Sequence, residues 1–161
     1  MIRKVVVPSA GLGTRLFPAT KEQPKEMLPI FARGSNGDVA VKPLLQMVFE
    51  QLYDSEFREF CFVVGRGKRN IEDHFTPDHN SISMLQGMGK NFQATDLDDF
   101  YNKLATSTIV WVNQPEPKGF GNAVLMAQPF VQNERCLVHA GDTYIISRGT
   151  EHIRGLISTY E

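Results

Sequence analysis

The residues best suited to chemistry sit in one short run, Pro8-Ser9-Ala10-Gly11-Leu12-Gly13-Thr14-Arg15-Leu16-Phe17-Pro18. A turn of small residues can aim backbone N–H groups at a phosphate, and Arg15 adds a positive charge beside them. Two familiar glycine loops are disfavoured. In the dinucleotide pattern G-x-G-x-x-G the third glycine would fall on Leu16, and Arg15 would stand where helix–sheet packing wants a small residue. The second apolar run ends in Gly65, so no acidic residue waits there for a ribose diol. The P-loop pattern Gly-x-x-x-x-Gly-Lys-Ser/Thr appears nowhere. Taken alone, the loop also suits a plain glycine turn with a solvated arginine. Gly141-Asp142 is equally two-sided: magnesium takes one or two protein carboxylates, and Gly-Asp after a strand is also ordinary turn chemistry.

Other candidates read as structural. His74 and His79 lack an H-E-x-x-H arrangement, which argues against zinc, and His139 reads as a packed core histidine. The cluster Gly65-Arg66-Gly67-Lys68-Arg69 reads as a solvated face. Cys61 and Cys136 sit in apolar runs without metal-ligand spacing and read as buried thiols in a reducing compartment.

The elements that must position these residues alternate. Val5-Val6-Val7, Phe60-Cys61-Phe62-Val63-Val64, Ile109-Val110-Trp111-Val112 and Cys136-Leu137-Val138-His139-Ala140 are short β-branched or aromatic runs, as expected of strands buried on both faces. Between them, Pro43 opens a helix with an apolar stripe through Leu44, Leu45, Met47, Val48 and Leu52. A second helix is expected from Asp96, with Asp99 as a capping-box variant and Leu97, Phe100, Tyr101 and Leu104 on one face. A third spans about Gly121 to Gln128, where Pro129 breaks it. Phe31 to Lys42, with Gly34 and Gly37, reads as a flexible surface insertion, and Thr76 to Lys90 has no clear pattern. This rhythm predicts a doubly wound α/β fold with a mostly parallel sheet, whose ligands bind beyond the carboxyl ends of the strands.

The continuation of the first loop makes a resemblance specific. Gly11-Leu12-Gly13-Thr14-Arg15-Leu16-Phe17-Pro18-Ala19-Thr20 followed by Pro24-Lys25-Glu26-Met27-Leu28-Pro29 resembles the signature of the sugar-1-phosphate nucleotidyltransferases. The Pro-Lys-Glu-Met-Leu-Pro form resembles the bacterial and archaeal UTP–glucose-1-phosphate uridylyltransferases in particular. Asn113-Gln114-Pro115-Glu116-Pro117-Lys118-Gly119-Phe120-Gly121-Asn122-Ala123-Val124 resembles that family's base-reading segment, and Ala140-Gly141-Asp142 is a third block in the expected order. The resemblance runs from the first strand to about Ile146. It implies the nucleotide-diphospho-sugar transferase fold, with the fourth strand beside the first.

The resemblance implies attack of a glucose-1-phosphate oxygen on the α-phosphorus of UTP, giving UDP-glucose and pyrophosphate with magnesium as cofactor. A phosphate monoester is already a dianion at neutral pH, so the site must overcome repulsion rather than create a nucleophile. Arg15 and Lys25 are the implied catalytic cations, the first as a guanidinium fork on the triphosphate. A solvated loop lysine is the commoner fate of any one lysine, but Pro24 and Pro29 stiffen the backbone around Lys25. Ala10, Gly11, Gly13, Thr14, Arg15, Glu26, Gln114 and Gly119 are the implied nucleotide-binding residues. Of these, Gln114 offers an amide carbonyl and NH₂ to the edge of uracil, and Glu26 is expected to support Lys25 or Arg15. Asp142 is the implied metal ligand. Thymidylyl transfer or another sugar specificity is the nearest alternative within the class, and a non-catalytic nucleotide-binding subunit is the alternative outside it.

Composition bounds these readings. The chain has 161 residues, 42% hydrophobic, enough for one domain with a core. Lys and Arg total 17 against 18 Asp and Glu, which argues against a nucleic-acid partner. The absence of a long apolar stretch or signal-peptide layout predicts a cytoplasmic protein without a membrane partner. Ile153, Leu156, Ile157 and Tyr160 have helical spacing, and Glu161 falls in mid-pattern. Residues 1–161 are therefore expected to be the triphosphate-binding portion of a nucleotidyltransferase domain. A homo-oligomer, or a C-terminal sugar-binding segment absent from this sequence, is expected to complete it.

Overall fold

Four strands form a parallel sheet whose two central members are buried on both faces, while the outer two are only partly covered. In the computed structural model, which describes residues 2–34 and 36–160, these are β1 (Lys4–Ser9), β4 (Glu59–Gly65), β5 (Thr108–Gln114) and β6 (Cys136–Val138), ordered β5-β4-β1-β6. Every residue of β1 is buried, and Val5, Val6 and Val7 show no exposed surface. Neighbouring positions on a strand point to opposite faces, so the chain must cover both. Val5, Val7, Phe60 and Phe62 face one core layer, and Val6, Cys61 and Val63 face the other.

The first layer is packed by α1 (Leu44–Asp54), α2 (Arg69–His74), α3 (His79–Gly87), α4 (Asn91–Ala105) and α7 (Glu151–Tyr160). Its centre is aromatic: Phe49 meets Phe75 and Phe100 edge to face, and Phe62 stacks on Trp111. The opposite face is covered by α5 (Phe120–Met126) and α6 (Gln128–Val131), through Ala123 and Ala127. The architecture is therefore α/β and doubly wound, with the fourth sheet strand, β6, beside the first. Among the described residues no helix is long and apolar enough to cross a membrane.

Several local expectations change. Phe31 to Lys42 is an antiparallel hairpin, β2 (Pro29–Arg33) with β3 (Val39–Pro43), rather than a flexible insertion. Its inward side carries Ala40 and a buried Lys42, whose ammonium meets Glu50 at 3.0 Å and Asp96 at 3.1 Å. That ionic cluster ties the hairpin to α1 and α4. Because α4 starts at Asn91, Asp96 is not its cap, and its carboxylate serves Lys42 from inside the helix. Thr76 to Lys90 contains α3, capped by the Asp78 side chain. The third helix, α5, does end ahead of Pro129, at Met126, and Pro129 lies in the first turn of the separate α6, where its missing N–H costs nothing. Cys61 is buried and its thiol is pushed up to about 11 by burial, whereas Cys136 is only half-buried.

Candidate active site

The site forms where the carboxyl ends of β1, β4, β5 and β6 release their loops. β1 and β4 run in register to Ser9 and Val64, so the glycine loop leaves the sheet beside Gly65. A Cβ on Gly65 would lie 3.1 Å from the Ala10 carbonyl oxygen, which is why the strand ends there in glycine. Past β6 the pairing with β1 continues through His139 N–H to Val6 and Gly141 N–H to Pro8. This carries Asp142 alongside the β1 loop. A Cβ on Gly141 would fall 2.1 Å from Ser9 Oγ, so only glycine lets the two segments come this close.

The loops enclose a cavity of about 610 Å³. One end is walled by Gln114, Pro117, Gly119, Phe120 and Ala123, from β5 and the segment after it. The other holds Lys25 and Asp142, with Ala10, Gly11, Leu12, Thr14 and Arg15 between. From β5 to β6 is three strand spacings, roughly 14 Å, enough to lay an elongated ligand across the strand ends.

At the β5 end the buried Gln114 has a defined orientation. Its Nε2 donates to the Gly119 carbonyl at 3.2 Å and to Asn122 Oδ1 at 2.8 Å. The Gly119 oxygen can only accept, so the amide nitrogen must face it. Oε1 accepts no hydrogen bond among the described residues. The amide thus presents an acceptor alone, not the acceptor–donor pair that its chemistry allows in isolation. Gly119 adopts φ 94°, a left-handed backbone that favours glycine.

At the opposite end Lys25 Nζ bonds directly to Asp142 Oδ2. Lys25 sits in a single 3-10 turn, Lys25–Met27, after Pro24. Gly11 makes room for it: a Cβ there would approach Lys25 Nζ to 3.2 Å. Burial pushes the Asp142 carboxyl up, but the hydrogen bond and charge of Lys25 outweigh this and hold it below the usual carboxylate range. Arg15 is exposed and makes no hydrogen bond or ion pair among the described residues, which leaves its fork available.

Glu26 does not support Lys25 or Arg15 by hydrogen bonding. It is 1% exposed and its two carboxylate oxygens take Lys68 Nζ at 2.9 and 2.8 Å. Lys68 also donates to the Ser9 carbonyl. The basic cluster after β4 is therefore not simply a solvated face: Lys68 turns inward, while Arg66 and Arg69 are exposed. Burial pushes the Glu26 carboxyl up and the Lys68 ammonium down, and their mutual attraction opposes both movements. The pair braces the Lys25 turn against the end of β1. The only sequence signal for it was a lysine close behind Gly65, where two strand ends converge.

Gly13 does not line the cavity. Its φ of 69° and the bond from Thr20 Oγ1 to its carbonyl, 2.7 Å, make it the turn that folds the loop back on itself. His139 is buried, as expected of a core histidine, and burial lowers its pKa. No cluster of three or more His, Cys, Asp or Glu side chains that could hold a metal occurs among the described residues. Two carboxylates line the cavity, and with Glu26 committed to Lys68, Asp142 is the one placed to meet a cation. That suits a magnesium ion, which takes one or two carboxylates and draws its other ligands from phosphate and water.

The profile of the family described as "Nucleotidyl transferase" matches residues 4–159. The UTP–glucose-1-phosphate uridylyltransferase YngB of Bacillus subtilis (strain 168) is 37% identical over 160 residues, covering 99% of this chain and 50% of that protein. An apo UDP-glucose pyrophosphorylase structure superposes with a TM-score of 0.82 at 31% identity, over 99% of this chain and 56% of that one. A UTP-bound UGPase from Acinetobacter baumannii gives 0.81 at 25% identity, over 99% and 54%. The chain spans about half the length of the curated relatives it matches.

Proposed function

Because the chain belongs to the nucleotidyl transferase family, we propose that its cavity binds UTP for uridylyl transfer to glucose-1-phosphate. The carrying observation is the Gln114 amide. With both its hydrogens engaged by Gly119 and Asn122, Oε1 is left as an acceptor on the cavity wall. Uracil and thymine offer a donor there at N3–H. Cytosine offers an acceptor at the same position and meets Oε1 unfavourably. Leu12 and Phe120, both exposed on the cavity wall, supply apolar surface for a flat ring.

The triphosphate then extends over the glycine loop toward Lys25. The reaction forms a bond between a sugar-phosphate oxygen and the α-phosphorus and breaks the bond from that phosphorus to the bridging oxygen of pyrophosphate. No protein nucleophile is needed, since the monoester is ionised near neutral pH, its second pKa being about 6. Arg15 spreads donors over phosphate oxygens, and Lys25 places a point charge beside them. Asp142 would hold magnesium, which when bound offsets triphosphate charge. Ala10, Gly11 and Thr14 line the path with backbone and hydroxyl groups.

Residues 1–161 serve in this reading as the triphosphate-binding portion of the enzyme, in the cytoplasm. The sugar pocket is completed by a second copy or by a further segment. The test is competition binding with UTP, dTTP, CTP and ATP, beside pyrophosphate release with UTP and glucose-1-phosphate. UTP and dTTP should bind in preference, and pyrophosphate release by this chain alone should be slow. Equal binding of ATP and UTP would overturn the assignment of the base.

A further inference from the structure

The hydrogen bond that settles the Gln114 amide comes from a residue outside the cavity wall. Asn122 lies on the first turns of α5, half-buried, behind Gln114 rather than against the ligand space. Its Oδ1 takes the shorter of the two bonds from Gln114 Nε2, 2.8 Å against 3.2 Å for the Gly119 carbonyl. A primary amide has two N–H groups. Gly119 can occupy one of them, and without Asn122 the second would be free to meet an acceptor in the cavity.

We propose that Asn122 is a specificity-determining positioning residue: by engaging the second N–H of Gln114 it leaves the site an acceptor only, and so selects nucleobases with an N–H at that edge against those with a bare ring nitrogen. This rests on the cavity being the nucleotide site proposed above. Turning the amide over would set Oε1 against the Gly119 carbonyl, an acceptor facing an acceptor. With Asn122 in place the observed orientation has two bonds to lose. With alanine there, one long bond remains, and the amide can swing its free N–H toward cytosine N3.

The experiment measures binding of UTP and CTP to the protein and to its Asn122→Ala and Asn122→Asp variants, with magnesium, by calorimetry or fluorescence competition. Asn122→Ala should lower the UTP-to-CTP preference about tenfold, the effect of one net hydrogen bond. Its melting temperature should fall only slightly, because the better helix propensity of alanine offsets part of the lost hydrogen bond. Asn122→Asp keeps an acceptor for Gln114 and should retain the preference. If the unmodified protein prefers UTP and Asn122→Ala preserves that ratio, Asn122 does not set specificity and the inference fails. If the unmodified protein binds UTP and CTP alike, the reading of Gln114 as the base contact fails first.

Discussion

Lys25 and Asp142, 117 residues apart in sequence, hold each other directly at one end of the cavity. The contact exists because β6 lies beside β1, so the turn after one strand meets the loop after the other. The ammonium and the carboxylate thus satisfy each other. In the function proposed above, a nucleotide with its metal would part them, Lys25 turning to phosphate and Asp142 to the cation.

Asp142→Asn should therefore weaken magnesium-dependent UTP binding while leaving the domain folded. The pair is about one-third exposed on the Asp142 side, so its loss should cost about 1 kcal/mol of stability or less. Calorimetry with and without magnesium reads the binding. An unchanged metal dependence in the variant would remove Asp142 from the site.

Lys68 and Glu26 behave differently because both are buried. Lys68→Met leaves the Glu26 carboxylate without its cation and should destabilise the domain by about 3–5 kcal/mol. Replacing both, Lys68→Met with Glu26→Gln, should recover most of that loss, since an uncompensated charge costs more than a missing pair. Denaturant unfolding of the single and double variants decides it. A double variant no more stable than the single one would show that the brace is not an isolated ion pair.

Gly141→Ala puts a methyl group 2.1 Å from Ser9 Oγ, with Leu45 Cδ1 and the Pro8 carbonyl also close. Overpacking of this kind costs about 1–3 kcal/mol. The Ser9 hydroxyl is buried without a hydrogen-bond partner among the described residues, so Ser9→Ala alone should be neutral or stabilising. Combining it with Gly141→Ala should restore part of the lost stability. Thermal melts of the three variants test the pairing, and a Gly141→Ala protein as stable as the parent would contradict the close approach.

His74 stacks on Phe100 and bonds through Nε2 to Gln46 Oε1, and burial lowers its pKa from the usual 6.5. A depressed histidine pKa means that the unfolded chain takes up the proton first. Its contribution to stability is complete above about pH 6.5 and declines as pH falls toward the folded value. Urea midpoints should therefore drop below pH 6.5, and His74→Gln should reduce that slope while lowering stability at pH 8. A parallel pH profile in the variant would assign the acid sensitivity elsewhere.

The four sheet strands were legible because their runs are mainly apolar, most completely in the central Val5-Val6-Val7 and Phe60-Cys61-Phe62-Val63-Val64, which are buried on both faces. Pro43 marked the start of α1 for a local reason as well, its fixed φ at the helix boundary. The hairpin was not legible because its pattern is inverted. Phe31, Val39 and Val41 face outward, while Lys42 goes inside to meet Glu50 and Asp96. The start of α4 was misplaced because Asp96 has the chemistry of a cap, whereas its carboxylate serves Lys42 from inside the helix.

Among the site residues, the types and turns of Arg15, Lys25, Gln114 and Asp142 could be read from the chain, because a loop's glycines, prolines and charges are local properties. Their partners could not. That Lys25 meets Asp142, that Glu26 meets Lys68, and that Asn122 turns Gln114 depend on which strand ends lie side by side and on how α5 returns over β5. Sequence alone determined the set of charged and polar groups at the strand ends. Only the tertiary structure decided which of them neutralise each other and which are left for a ligand, because hydrogen bonds are set by distances of about 3 Å that strand order and loop closure create.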